Sequence, residues 1–146
     1  MAHDRFRDSD LGGDVSFLLA RANAVSVAAG NAALADFGLK VRSFSVLALA
    51  AGSRGPSQRE LSDFLRLDPS QVVALVDDLQ SRGLVERRPD PADRRANVVV
   101  ATDAGRTLCT QAQAATRAAE RAVHAAVSDA ERQQLVDLLQ RIAYPD

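Results

Sequence analysis

Asp68-Pro69-Ser70-Gln71-Val72-Val73-Ala74-Leu75-Val76-Asp77-Asp78-Leu79, then Gly83, then Arg87-Arg88-Pro89-Asp90-Pro91-Ala92-Asp93-Arg94-Arg95-Ala96-Asn97-Val98-Val99-Val100, is the stretch on which the fold turns. Its first part predicts a helix. Asp68 is a good N-cap, Pro69 suits the first helical position because its missing N–H is not needed there, and Gln71 completes a capping box. Val72, Leu75, Val76 and Leu79 recur at i, i+3, i+4 and i+7 and therefore face inward. Ser70, Gln71, Val73, Ala74, Asp77 and Asp78 are left facing out. Ser81-Arg82-Gly83 closes the helix, with Gly83 where a left-handed backbone is wanted. Residues 84–87 and 98–101 are then two strand-forming runs around a polar tip, which predicts a hairpin.

Working upstream, Ser57-Gln58-Arg59-Glu60 is a second capping box, and it opens a short helix with Leu61, Phe64 and Leu65 on one face. Only Arg66-Leu67 separates it from Asp68, so the two helices form a helix-turn-helix. Gly52-Ser53-Arg54-Gly55-Pro56 is a loop by composition. Before it, residues 41–51 predict a helix presenting Phe44, Leu47 and Ala48 to the core, and Asp36-Phe37-Gly38-Leu39 is a stop and turn. Residues 11–35 have helical apolar spacing, with Gly30 a point of interruption. Residues 1–10 are charged and expected to fray.

Downstream, Thr102 caps a long helix expected over residues 103–127, and Ser128 caps a last one bearing Leu135, Val136, Leu138, Leu139 and Ile142. The fold class is thus mostly α with a small β-hairpin wing: a winged helix-turn-helix over 36–102 and a helical dimerisation region from 11–35 and 103–146.

Composition agrees with a helical chain. Hydrophobic residues make up 47% of the 146, aromatics only 4%, and alanine, the best helix former, is abundant. The net charge of −1 argues weakly against a nucleic-acid partner. Local charge matters more: over residues 82–95, five arginines (82, 87, 88, 94, 95) face three acids (Glu86, Asp90, Asp93), a local +2. A helix followed by a basic hairpin suits DNA, the helix entering a major groove while the tip reaches a neighbouring minor groove.

One cysteine excludes an internal disulfide and a cysteine-cluster metal site. His3 lies in the tail and His124 alone on a helix, so no metal-ligand spacing is present, no cofactor is expected, and no nucleophile-and-base pair points to catalysis. The N-terminus lacks an apolar signal core, and no apolar run is expected to reach the ~20 residues of a membrane span. The expected location is the cytoplasm, without a membrane partner.

The order of elements from about Leu34 to Leu108 resembles the MarR (multiple antibiotic resistance regulator) family of transcription factors. The most specific stretch runs from Asp90 through Arg95 to Thr102-Asp103-Ala104-Gly105, with Gly83-Leu84-Val85-Glu86-Arg87 before it. The resemblance implies a homodimer on a pseudo-palindromic double-stranded DNA operator, acting as a repressor. It also implies release by a small aromatic or phenolic effector bound between the dimerisation and DNA-binding regions; Arg21, Phe44 and Leu47 are candidate lining residues. In the family's Asp-X-Arg pattern the arginine enters the minor groove and the aspartate orients it; here these are Asp93 and Arg95.

The physical basis is the negative potential of a narrow minor groove. Arg94 is then a candidate phosphate contact, and Arg88 a further DNA-binding candidate. Ser57, Gln58 and Arg59 sit where exposed helix-start amides and a cation gather for phosphate. Ser70, Gln71, Val73 and Ala74 occupy the major-groove face; Gln71 suits adenine, though its capping role competes. Val73 and Ala74 replace the Thr and Arg of some relatives, which limits direct readout to thymine methyls. Some relatives sense oxidants through a cysteine near the first helix, whereas Cys109 is later in the chain and reads as a small buried residue. The near-neutral charge keeps a second reading open, a dimeric winged-helix interaction protein that has lost DNA binding.

Overall fold

The computed structural model describes residues 4–145; residues 1–3, His3 among them, and residue 146 lie outside the described part. The elements are α1 (Asp4–Arg7), a 3-10 turn at Asp10–Gly13, α2 (Val15–Leu34), a 3-10 turn at Ala35–Phe37, α3 (Val41–Ala50), α4 (Gln58–Leu65), α5 (Pro69–Ser81), β1 (Val85–Pro89), β2 (Asn97–Ala101), α6 (Asp103–Val123) and α7 (Asp129–Ala143). The chain divides into two compact units, residues 30–116 and residues 1–29 with 117–146.

In the unit of residues 30–116, the apolar stripes of α3, α4 and α5 meet the inner face of the hairpin. Leu34, Val46, Leu47, Leu61, Val72, Val76, Leu79, Val85 and Val99 are at most 1% exposed there, and Phe37, Phe44, Leu65, Leu75 and Leu108 pack around them. The strands are antiparallel, with Val85 opposite Ala101, Arg87 opposite Val99 and Arg88 opposite Val98. Strand alternation therefore sends Val85, Val99 and Ala101 inward and Glu86, Arg88, Val98 and Val100 to the outer face.

Several boundaries differ from the sequence expectation, each for a physical reason. α2 starts at Val15 because residues 10–13 coil as a 3-10 turn, and it passes Gly30 unbroken. A Cβ at Gly30 would come within 2.8 Å of Val41 Cγ2, so this glycine lets α3 approach. The expected inward Phe64 is 56% exposed, while Ser62 is 6% exposed. The buried stripe of α4 is Leu61, Ser62 and Leu65, rotated by one position. Ser62 is tolerated because its hydroxyl donates to Leu67 O at 2.6 Å, tying down the helix-turn-helix turn. α6 ends at Val123, four residues earlier than expected, where residues 124–126 turn.

In the other unit, residues 4–7 are helical where fraying was expected. His124 is not alone: its Nε2 lies 3.3 Å from Ser26 Oγ and its Nδ1 3.8 Å from Glu120. Ser128 caps α7 by accepting from the Glu131 amide at 3.2 Å. The expectation that no apolar run has membrane-span length also needs correcting. Residues 15–37 average a hydropathy of 1.2 over a helical stretch long and apolar enough to cross a bilayer by length and composition. The value arises because alanine scores as apolar; Arg21, Asn23 and Asn31 interrupt the stretch.

Candidate nucleic-acid interface

The two capping boxes shape the face that α4 and α5 present. Ser57 Oγ accepts from the Glu60 amide at 3.1 Å, and Glu60 Oε2 accepts from the Ser57 amide at 2.7 Å. The Ser57 amide, and after it the Ser57 hydroxyl, hold the Glu60 carboxyl below the usual carboxylate range. Arg59 is fully in solvent and only 3.9 Å from Asp63, an i,i+4 contact that leaves it free to turn to a phosphate. On α5, Gln71 Oε1 accepts from the Asp68 amide at 3.2 Å. Its amide nitrogen remains the group available to a base. Ser70, Gln71, Val73 and Ala74 are all exposed, as one contiguous patch on the first two turns.

The wing tip is built by backbone hydrogen bonds. Asp90 N donates to Ala96 O at 2.8 Å, Ala96 N to Asp93 O at 3.0 Å, and Asp93 N to Asp90 O at 3.2 Å. Two aspartates then lock the turn: Asp90 accepts from the Ala92 amide at 2.9 Å and Asp93 from the Arg95 amide at 3.0 Å. Asp93 thus orients Arg95 through its main chain, setting the direction in which the side chain leaves the tip. Arg94 and Arg95 are exposed, and among the described residues neither guanidinium has a hydrogen bond or ion pair. Arg88, on the outer face of β1, donates to Glu86 Oε2 at 2.9 Å.

Arg87, counted in the sequence only as one of five local arginines, takes a bracing position that sequence reasoning did not anticipate. Its guanidinium reaches Gln58 Oε1 at 3.0 Å, Gln80 Oε1 at 3.1 Å and Asp77 Oδ1 at 2.6 Å. One side chain joins the base of the wing to both helices of the helix-turn-helix. It also explains the acidic end of α5. Asp77 is neutralised by Arg87, and Asp78 lies 3.9 Å from Arg82, whose own guanidinium donates to Gly38 O and Phe37 O at 2.8 and 2.9 Å. Gln58, expected at a phosphate, has its carbonyl oxygen committed to Arg87. The alternation on β1 was the available signal, since it turns Arg87 inward while Glu86 and Arg88 face out.

The start of α6 is fixed against the strand base. Thr102 Oγ1 donates to Gly83 O at 2.6 Å and accepts from the Gly105 amide at 3.0 Å. A Cβ on Gly105 would fall 1.9 Å from Leu84 O, so only glycine fits. Cys109 is 9% exposed, and burial pushes its thiol pKa up, which keeps it protonated and poorly nucleophilic.

Of the candidate effector residues, Arg21 lines a cavity of about 750 Å³ with Phe6, Arg7, Leu11, Phe17 and Leu18. Phe44 and Leu47 belong to the core of the other unit, Leu47 fully buried. Among the described residues no group of three His, Cys, Asp or Glu is placed to hold a metal.

A family model described as MarR family matches residues 37–96, the helix-turn-helix with the first wing strand and the tip. A solved MarR-family transcriptional regulator from Rhodococcus sp. RHA1 shares 42% identity over 95% of this chain and 99% of that one, with a TM-score of 0.89. CouR from Rhodococcus jostii RHA1, solved bound to p-coumaroyl-CoA, shares 43% over 95% of this chain and 98% of that one, with a TM-score of 0.87. Among curated relatives, the chain spans 62% of a Thauera aromatica regulatory protein for the hcr operon at 31% identity. It spans 92% of the HTH-type transcriptional repressor Rv2887 of Mycobacterium tuberculosis at 28% identity. The winged helix-turn-helix built above and this near-complete likeness to a solved regulator lead to one conclusion: the chain belongs to the MarR family and is a DNA-binding transcriptional regulator.

Proposed function

We propose that this regulator is a homodimeric repressor that binds a pseudo-palindromic operator and leaves it when an aromatic anion binds. The observation that carries the DNA half is the wing tip. Asp93 fixes the Arg95 main chain, and two guanidiniums without a partner among the described residues stand at the end of a braced hairpin. Ser70, Gln71, Val73 and Ala74 supply a short major-groove surface, Ser57 and Arg59 flank it for phosphate, and Arg94 and Arg88 extend the positive edge. A two-fold pair of such heads reads two equivalent half-sites about 34–36 Å apart.

The dimerisation region is assigned to residues 11–35 and 103–146. Leu11, Val15, Leu18, Val25, Leu135, Leu138 and Ile142 are 43–64% exposed in the single chain, and only 6% of the apolar window of α2 is buried. A partner's apolar helices account for such a surface better than water does. The same argument accounts for the apolar length of α2 without a membrane, and a DNA-bound regulator works in the cytoplasm, by binding rather than by catalysis.

The effector half rests on the cavity of Arg21. Two arginines beside Phe6 and Phe17 form an apolar chamber with cationic anchors, chemistry suited to an aromatic acid or an anionic aromatic conjugate. CouR, similar over nearly its whole length, binds p-coumaroyl-CoA. The ligand must favour the DNA-incompetent arrangement, and a coupling of about 1–3 kcal/mol is enough for release.

The test is footprinting on the DNA upstream of its own gene across a salt series, with and without a panel of aromatic acids and their CoA thioesters. A protected palindrome whose affinity falls steeply with salt is expected. No binding at low salt would overturn the repressor reading in favour of a winged interaction protein, and an operator affinity indifferent to every aromatic anion would remove the effector half.

A further inference from the structure

Loop 52–56 is docked on the wing. Val99 N donates to Pro56 O at 2.7 Å, and a Cβ at Gly55 would lie 2.8 Å from both Val100 Cγ2 and Val99 O. Between this loop and the outer face of the hairpin runs a groove of about 440 Å³, floored by Val98 and Val100 and continuous with the tip through Pro91 and Ala92. Its charged lining is Arg54, Arg88, Arg106 and Asp90. Asp90 already accepts from the Ala92 amide. Arg106 is held at the groove's end by donating to Ala51 O at 2.6 Å, and Arg88 is held by Glu86. Arg54 is exposed and has no hydrogen bond or ion pair among the described residues; its charge acts on Glu60 only at longer range.

We infer that this groove is a second DNA contact, in which Arg54 and Arg88 straddle a backbone phosphate just outside the minor groove that the wing fills. The inference rests on the DNA-binding reading above. The groove adjoins the tip, so a seated tip brings the neighbouring strand's phosphates to this face. Arg54, Arg88 and Arg106 outnumber Asp90 and the Glu86 that pairs with Arg88, which leaves that face net positive, the sign a phosphate needs, with Arg54 its cation without a partner among the described residues. A guanidinium forked from each side fits the tetrahedral oxygens better than an ammonium would.

The test measures binding of the full chain to two operator duplexes by fluorescence anisotropy. One ends at the wing's minor groove; the other is extended outward by about five base pairs, half a turn. Wild type should bind the longer duplex several-fold tighter. Arg54→Ala should abolish that gain, leave the short duplex unaffected, and reduce the salt slope on the long duplex by about 0.9. Equal wild-type affinity for both lengths, or an Arg54→Ala loss that is the same on both, would overturn the flanking contact alone. A gain with length that survives in Arg54→Ala would overturn it too. Absence of binding to either duplex would overturn the DNA reading and this inference with it. Inorganic phosphate that binds wild type and not Arg54→Ala, without any length effect, would make the groove a small-anion site instead.

Discussion

Helix α5 and the wing are both exposed, polar and aimed outward, yet they leave different groups free. On α5 the polar atoms are largely engaged by the protein itself: Gln71 Oε1 closes a capping box, Asp77 is held by Arg87, and Asp78 faces Arg82. What remains is Ser70, one amide nitrogen and the small apolar surfaces of Val73 and Ala74. At the wing tip the internal bonds use backbone and the two aspartates, so that among the described residues the Arg94 and Arg95 guanidiniums have no partner. A reading helix can thus be well formed and still carry little sequence information, while a short hairpin tip presents two guanidiniums without a partner among the described residues. Binding by this chain is expected to depend more on phosphate and groove shape than on base edges.

The comparison can be broken most severely at its common support. Gly105→Ala places a methyl against Leu84 O, a backbone atom that cannot move aside alone. We expect a destabilisation of about 2–3 kcal/mol or more, seen as a drop in the thermal midpoint with loss of DNA binding from both regions together. An unchanged midpoint would mean that α6 does not seat on the strand base as described.

The next largest effect separates the two regions. Arg95→Ala should weaken operator binding roughly tenfold to a hundredfold at unchanged thermal stability, whereas Gln71→Ala should weaken it less and alter preference at a single base pair. Equal losses, measured by anisotropy on matched and singly substituted operators, would erase the distinction between wing and helix.

Arg87→Met tests the link between them. Removing the guanidinium frees Gln58, Gln80 and Asp77, and the expected cost is about 1–2 kcal/mol of stability. The sharper readout is coupling. With the brace gone, the Arg95→Ala loss should shrink, because the tip is no longer registered to α5. Strict additivity of the two losses would show that Arg87 is only structural.

The smallest effect is that of pH on the α4 cap. Glu60 is held below the ordinary glutamate value by Ser57, so its contribution is present above that value and is lost as the pH falls through the lower folded one. Circular dichroism during acid titration should show α4 loosening in wild type, with Glu60→Gln flatter over the same range. Parallel curves would refute the assignment.

Much of this was legible because it is local. The i, i+3, i+4 spacing of Val72, Leu75, Val76 and Leu79, the Ser57–Glu60 and Asp68–Gln71 boxes and the alternating hairpin each depend on neighbours within a few residues. The exposure of Phe64 was not legible. Apolar spacing favours Phe64 over the polar Ser62 beside Leu61 and Leu65, and the bond from Ser62 to Leu67 that lets a hydroxyl take the buried place joins residues outside that pattern. The apolar length of α2 was misjudged for a related reason, since alanines counted as helix formers also add up to a membrane-like stretch.

The sequence by itself determined where α4, α5, α6 and α7 start, which face of α5 turns inward, and that an arginine-bearing tip joins two strands. These follow from propensity, capping and period, which act over one or two turns. Only the tertiary structure decided which polar groups remain free. Arg87 and Arg95 are chemically identical in the sequence, but the inward register of one gives it three acceptors, whereas the turn at Asp93 leaves the other with none among the described residues. Hydrogen bonds between elements distant in the chain, as from Arg87 to Gln58, exist only once packing has fixed the register. The division of labour between helix and wing is therefore a property of the fold.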